Sequence, residues 1–327
     1  MFDPTPVALG TAPLDASYGV LVGIFDLFLT WFGVGMNWLA AVLGVDMLGY
    51  PYMQRAYLAA ICVGVVGPLV GTFLVHRELS MIGDTLAHTA FAGVAVGLFV
   101  NSALSLSIPP VASALVVAIV SALLVELLVE YTDAHSDASL AIVLTGGFAV
   151  GSVLITATDG GIAVGIDAYL FGSLATVSRA NVGLLVAMTL LVGALVTVAY
   201  RPLLYVTFDA TAARAVRLNV PFYNRLLVVL TAVVVVSAMQ IMGVILVAAM
   251  LVVPVAAAAQ VSSSFKQSVM LAVVAAELAA VVGVTVSYVY GVAAGGSIVL
   301  AAIAVYATMG VGRAVSRRVV RPSSTRR

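Results

Sequence analysis

Residues 225–260 read RLLVVLTAVVVVSAMQIMGVILVAAMLVVPVAAAAQ, a run with no charged residue after Arg225. A helix crosses a bilayer with about 20 mostly apolar residues. The run is too long for one crossing, so it predicts two spans joined by a tight turn near Met239–Gly243. Working outward, residues 56–75, 84–100, 111–129, 138–157, 181–200, 268–287 and 295–312 each form another apolar stretch of spanning length. A further segment, 18–45, carries Asp26 and several glycines, and either crosses the membrane or lies along its surface. The expected fold is all-α, a polytopic membrane helix bundle of nine or ten spans.

Composition agrees. The 327 residues are 63% hydrophobic and only 9% charged, with a mean hydropathy of +1.20. Soluble domains average roughly 45–50% apolar and about 25% charged residues. That gap excludes a water-soluble enzyme, a nucleic-acid binder and a disordered chain. The fourteen Lys and Arg balance fourteen Asp and Glu, so only the placement of charge is informative. The lone cysteine, Cys62, sits in an apolar run, which rules out an intrachain disulfide and a cysteine metal cluster. The acidic N-terminus does not read as a cleaved signal peptide. Pro68 and Pro254 fall inside spans, where each kinks the helix and frees a backbone carbonyl.

Loop charges set the expected orientation through the positive-inside bias. With ten spans and the N-terminus inside, Arg77, Arg201, Arg214, Arg217, Arg225, Lys266 and six C-terminal arginines share the cytoplasmic side. Only Arg55 and Arg179 lie opposite. The outer segment 161–171 is apolar enough to dip into the interface.

Charged groups at membrane depth cost roughly 2.5–3.5 kcal/mol on insertion scales, so each needs a reason. Asp84 and His88 stand four residues apart in HRELSMIGDTLAHTAFAGVAVG (76–97). That spacing puts both side chains on one helix face. A carboxylate and an imidazole there can hold a divalent cation, and two donors alone suit a transit site completed by water or other helices. The residues allow a second reading, with Asp84 as the N-cap of its helix and His88 only its hydrogen-bonding neighbour. Glu277, in mid-span, is either a further ligand or a neutral acid packed against a neighbouring helix. Glu126 and Glu130 read as snorkelling to the interface, and His76 and His135 as solvated loop residues. In the loop 201–225, bracketed by Pro202 and Pro221, Asp209 to Leu218 predicts a short helix N-capped by Asp209. Such a segment docks a soluble partner or rests on anionic headgroups.

Several segments together resemble the permease subunits of ATP-binding-cassette importers for zinc, manganese and related divalent metals. They are 50–88, containing RELSMIGDTLAH, then YLFGSLATVSRANV (169–182), FDATAARAVRLNV (208–220), MQIMGVILVAAMLVVPVAAA (239–258) and SYVYGVAAGGSIVL (287–300). The resemblance covers about residues 50–312. It implies a type II importer permease with about ten spans. Residues 1–49 are then an extension with an extra helix, 50–313 the permease domain and 314–327 a basic cytoplasmic tail. It also implies that the Gly-Asp-x-Leu-x-His motif supplies metal-coordinating residues, here Asp84 and His88. The segment with Phe208, Asp209, Ala213, Arg214 and Arg217 becomes the coupling helix that fits a groove on the ATPase. The implied partners are a cytoplasmic ATPase, an extracytoplasmic metal-binding protein, a second copy of the chain and the lipid bilayer, with no nucleic acid. The implied cargo is Zn2+ or Mn2+, with no resident cofactor, and the location is the plasma membrane with the C-terminus cytoplasmic. The chain departs from the pattern at Thr211, where Glu is frequent, at Arg217, where Gly is, at Ala92, where Pro is usual, and at Gly291 and Ala293.

The chain offers no ATP site of its own. A phosphate-binding loop needs Gly-Lys followed by Ser or Thr, and the sole lysine, Lys266, follows Phe265 in SSSFKQS. The rival classes are an ion-coupled secondary transporter or channel using Asp84 and Glu277, and a membrane enzyme. The first should show interrupted helices in symmetric positions. The second should place a nucleophile beside Asp84 and His88.

Overall fold

A computed structural model describes residues 12–131, 136–157, 166–172 and 177–320. His135, residues 158–165, with them the first half of the outer segment 161–171, and the last seven residues of the basic tail lie outside the described residues, as does the side chain of Glu130. Thirteen α-helices occur among the described residues: α1 (Ala12–Leu43), α2 (Pro51–His76), α3 (Ile82–Leu104), α4 (Pro110–Tyr131), α5 (Ser136–Thr156), α6 (Ile166–Phe171), α7 (Arg179–Val198), α8 (Tyr200–Phe208), α9 (Ala210–Ala215), α10 (Val220–Met242), α11 (Val244–Ala259), α12 (Phe265–Tyr290) and α13 (Ala294–Val320). Nine of them are long and apolar enough to cross a membrane, and α11 is a tenth, shorter apolar helix.

Two compact units divide the chain, Met1–Gln54 and Arg55–Arg327. In the first, a 3-10 turn at Asp46–Gly49 follows α1. The Gln54 amide donates to Asn37 Oδ1 at 2.9 Å and to the Leu48 carbonyl at 3.0 Å, which ties the turn back to α1.

In the second unit the predicted reversal falls at Gly243, with φ 84° and ψ 155°. That backbone region is essentially restricted to glycine. The start of α10 lies with Leu79 and Ile82. The end of α11 packs with Val75, Leu271 and Ala272 through Val255 and Ala258. Both therefore reach the same end of the bundle, so α10 and α11 run antiparallel. α6 meets this reversal, with the backbone of Leu170–Gly172 against Gly243.

With so little hydrophobic effect between helices in lipid, close packing of small residues holds such a bundle together. Gly67 and Gly71 of α2 receive the Met250 and Leu251 carbonyls of α11, and Gly283 of α12 receives Ile298 of α13. Gly93 and Gly97 of α3 seat against Ala114 and Ser113 of α4, and Gly147 and Gly151 of α5 against Thr89 and Ala92 of α3. α2, α3 and α10 are mostly buried, whereas α4, α5, α7 and α13 turn largely outward.

The structure corrects several readings of the sequence. Asp84 is not an N-cap: the capping position is Met81, which gives no side-chain bond, and Asp84 is the third residue of α3. Glu126 does not snorkel. Its side chain is 17% exposed and pairs with Arg225 of α10 at 3.4 Å. His76 is not a solvated loop residue but the last residue of α2. Its Nδ1–H donates to the Thr72 carbonyl at 2.8 Å, and its ring meets Phe208 and Phe265 edge-on. Part of the loop 201–225 is the helix α8, and α9 stops at Ala215 instead of reaching Leu218.

Candidate metal centre and coupling segment

α3 begins two residues before its first carboxylate, Asp84, and one turn later His88 comes round to the same face. The Asp84 Oδ1 to His88 Nε2 distance is 3.5 Å, with the two side chains 44% and 27% exposed. At metal–ligand lengths of about 2.1 Å, donors so spaced subtend about 110° at a shared ion. The pair can therefore grip one dication from a single helix. Phe148 of α5 holds the His88 ring edge-on, with centroids 5.5 Å apart, and stacks on Phe91 of α3. His88 Nδ1 is buried, and among the described residues it has no hydrogen-bond partner. A ligating imidazole ordinarily donates its second N–H, which fixes the ring and raises its basicity.

Among the described residues no three His, Cys, Asp or Glu side chains gather into a metal-holding group. Glu277 therefore does not complete a trio with Asp84 and His88. It lies on α12 against Gly64 of α2. Gly64 is the residue whose carbonyl loses its helical donor to Pro68.

The coupling segment is built locally. Pro202 cannot donate to Val198, so the helix breaks at Ala199 and restarts as α8. The next chain reversal is capped by Asp209, whose Oδ1 accepts from the amides of Thr211 at 3.0 Å and Ala212 at 2.8 Å. Ala213 is fully buried between Val206 of α8 and Val220 of α10. Phe208 is 62% exposed while its ring touches His76 and Phe265. Arg214 lines a cavity of about 290 Å³. Removing the cap by Asp209→Ala should cost about 1 kcal/mol locally. Hydrogen exchange at the Thr211 and Ala212 amides should then quicken about fivefold.

Arg217 closes α9 in the left-handed region, at φ 61°. A side chain there costs roughly 1–2 kcal/mol that glycine avoids. Arg217→Gly is therefore expected to raise the thermal midpoint of the detergent-solubilised protein. A midpoint that fell would contradict this account of the strain.

Arg77 is the residue that sequence reasoning undervalued, counting it only as a loop cation. Its Nε donates to Thr207 Oγ1 at 2.9 Å, Nη1 to Asn224 Oδ1 at 2.8 Å and Nη2 to the Leu203 carbonyl at 3.3 Å. Burial lowers its pKa to about 10, so it stays charged at neutral pH. The available signal was its place, one residue past a span and seven before Asp84.

Comparison with known proteins rests on the same region. The sequence profile described as the ABC 3 transport family matches residues 49–311. The chain belongs to that family. One relative is the manganese transport system membrane protein MntC of Halalkalibacterium halodurans, 32% identical over 80% of this chain and 87% of that protein. Another is the chelated iron transport system membrane protein YfeD of Yersinia pestis, 32% identical over 77% and 82%. Among solved structures, PsaBC from Streptococcus pneumoniae in complex with Fab superposes with a TM-score of 0.71 at 29% identity, over 82% of this chain and 94% of that one. An ABC transporter in an inward-facing conformation shares the fold, with a TM-score of 0.65 at 16% identity over 90% and 99%. Membership makes the chain a multi-pass integral membrane protein and a transport permease, and disfavours the autonomous secondary transporter.

Proposed function

We propose that this chain is the membrane-spanning permease of an ATP-driven importer that takes up a divalent metal ion, manganese or zinc. The observation that carries the reading is the Asp84–His88 pair, two donors on one face of α3, half open and spaced for one ion. Relatives named for manganese transport favour Mn2+. An Asp/His pair accepts either metal, and selectivity follows coordination geometry and supply. Because the described residues of one chain offer too few donors to enclose the ion, water or a second copy of the chain completes the shell.

Energy comes from a separate cytoplasmic ATPase that docks on α9, with Phe208, Asp209, Ala213, Arg214 and Arg217 shaping the contact. An extracytoplasmic binding protein delivers the ion. The Lys/Arg bias supports a cytoplasmic location for the α9 end and the C-terminus. Asp84 and His88 then hold the dication in transit, and motion of the docked ATPase opens the path inward.

The test is uptake of Mn2+ and Zn2+, each supplied alone, into cells lacking the chain and complemented with it. ATP-dependent accumulation of at least one ion is expected, with an ATPase subunit co-purifying. Accumulation that persists when the ATPase is inactivated would overturn the reading.

A further inference from the structure

We propose that Arg77 is the positioning residue that passes motion of the α8–α9 segment into α3, the helix carrying Asp84 and His88. This rests on the permease reading above and deepens it by naming the physical link.

Three neighbouring elements form one packed body. Val206 of α8, Ala213 of α9 and Val220 of α10 are buried together, with Ala210, Leu218 and Tyr223 around them. A push on α9 therefore moves α8 and the start of α10 with it. α10 lies directly against α3, whereas α8 and α9 have little packing of their own on it. A cavity of about 290 Å³ is lined by Leu79 and Ile82 together with Ala210 and Arg214.

Arg77 also lines that cavity. It stands on the link 77–81 between α2 and α3, and its guanidinium bonds to Thr207 and Leu203 of α8 and to Asn224 of α10. The Thr207 hydroxyl donates to the same Leu203 carbonyl at 2.6 Å, which fixes the acceptors in place. The link itself has little slack. Arg77 N donates to Phe73 O, Glu78 N to Val75 O, Leu79 N to Leu74 O and Ile82 N to Leu79 O. Glu78 turns the chain at φ 60°. Two residues beyond Ile82 comes Asp84. A displacement received at the guanidinium is thus delivered to the first turn of α3 and is not absorbed on the way. The planar fork is what the task requires: it meets three acceptors in fixed directions, whereas a lysine ammonium is a single point charge on a flexible stem.

The experiment uses the complex of permease, ATPase and delivery protein in proteoliposomes, reading Mn2+ moved per ATP hydrolysed. Arg77→Ala and Arg77→Lys complexes are expected to assemble and to hydrolyse ATP at a rate within about twofold of wild type. They should move about tenfold less metal per ATP, the scale of change seen for residues on such a path. Asn224→Ala should shift the ratio the same way by less, and adding it to Arg77→Ala should cost nothing more, because both act through one bond. An Arg77→Ala complex with the wild-type ratio overturns the inference, as does a parallel fall of transport and hydrolysis. If Arg77→Ala does not assemble, Asn224→Ala decides, and an unchanged ratio there overturns the inference. Wild-type complex that hydrolyses ATP without moving metal would instead overturn the permease reading.

Discussion

Asp84→Ala and His88→Ala are each expected to lower ATP-driven metal uptake on the order of 100-fold while leaving a folded, membrane-inserted protein. Losing even an outer-shell partner typically costs a metal site 10–100-fold, and here a direct donor goes. The cost to folding is small, because an exposed i, i+4 carboxylate–imidazole contact stabilises a helix by only about 0.3–0.5 kcal/mol. Asp84→Asn keeps one oxygen donor and should fall between wild type and Asp84→Ala. Uptake of Mn2+ by proteoliposomes, normalised to folded permease, makes the measurement. Wild-type uptake by a folded Asp84→Ala protein would refute the site.

The second large effect concerns the fold. A Cβ on Gly71 would fall inside the Leu251 carbonyl, a backbone atom of α11 that cannot swing away. Gly71→Ala should therefore force α2 and α11 apart at the centre of the bundle, costing more than about 3 kcal/mol. The expected readout is loss of the monodisperse peak in detergent at every temperature tried. Gly193→Ala on α7 is the matched control, because nothing lies within 4 Å of its new methyl group. Helical alanine replaces glycine there with a gain of roughly 0.5–1 kcal/mol. If both variants behave alike, close backbone approach is not what sets this packing.

What the sequence disclosed follows a physical division. Spans are legible because hydropathy is local: the charge-free run after Arg225 has to turn, and Gly243 is the residue able to do it. The Asp209 cap was legible for the same reason, since its bonds reach only Thr211 and Ala212. Asp84 and His88 could be placed on one face by spacing alone. The unread features all have remote partners. Glu126 reads as snorkelling until Arg225, on another helix, is seen beside it. His76 reads as solvated until Phe208 and Phe265 close on it. Arg77 reads as an orientation signal, because its acceptors lie on α8 and α10. Helix α8 was hidden by Arg201 and Pro202, which look like a loop although a first-turn proline does no harm.

The single-residue reversal at Gly243 shapes the face opposite α9. With 16 residues, α11 rises about 24 Å, short of the roughly 30 Å hydrocarbon layer. Met250 and Val255 meet α2 at Gly67 and Val75, so the shortfall falls at the Gly243 end, where α2 packs instead on α12 through Gly64 against Glu277 and Tyr57 against Thr285. Irregular backbone survives at such depth only when shielded by protein or bordering water, and the α6 backbone supplies the shield. The peptide groups of the Gly243 reversal are thereby held against protein backbone and not against acyl chains.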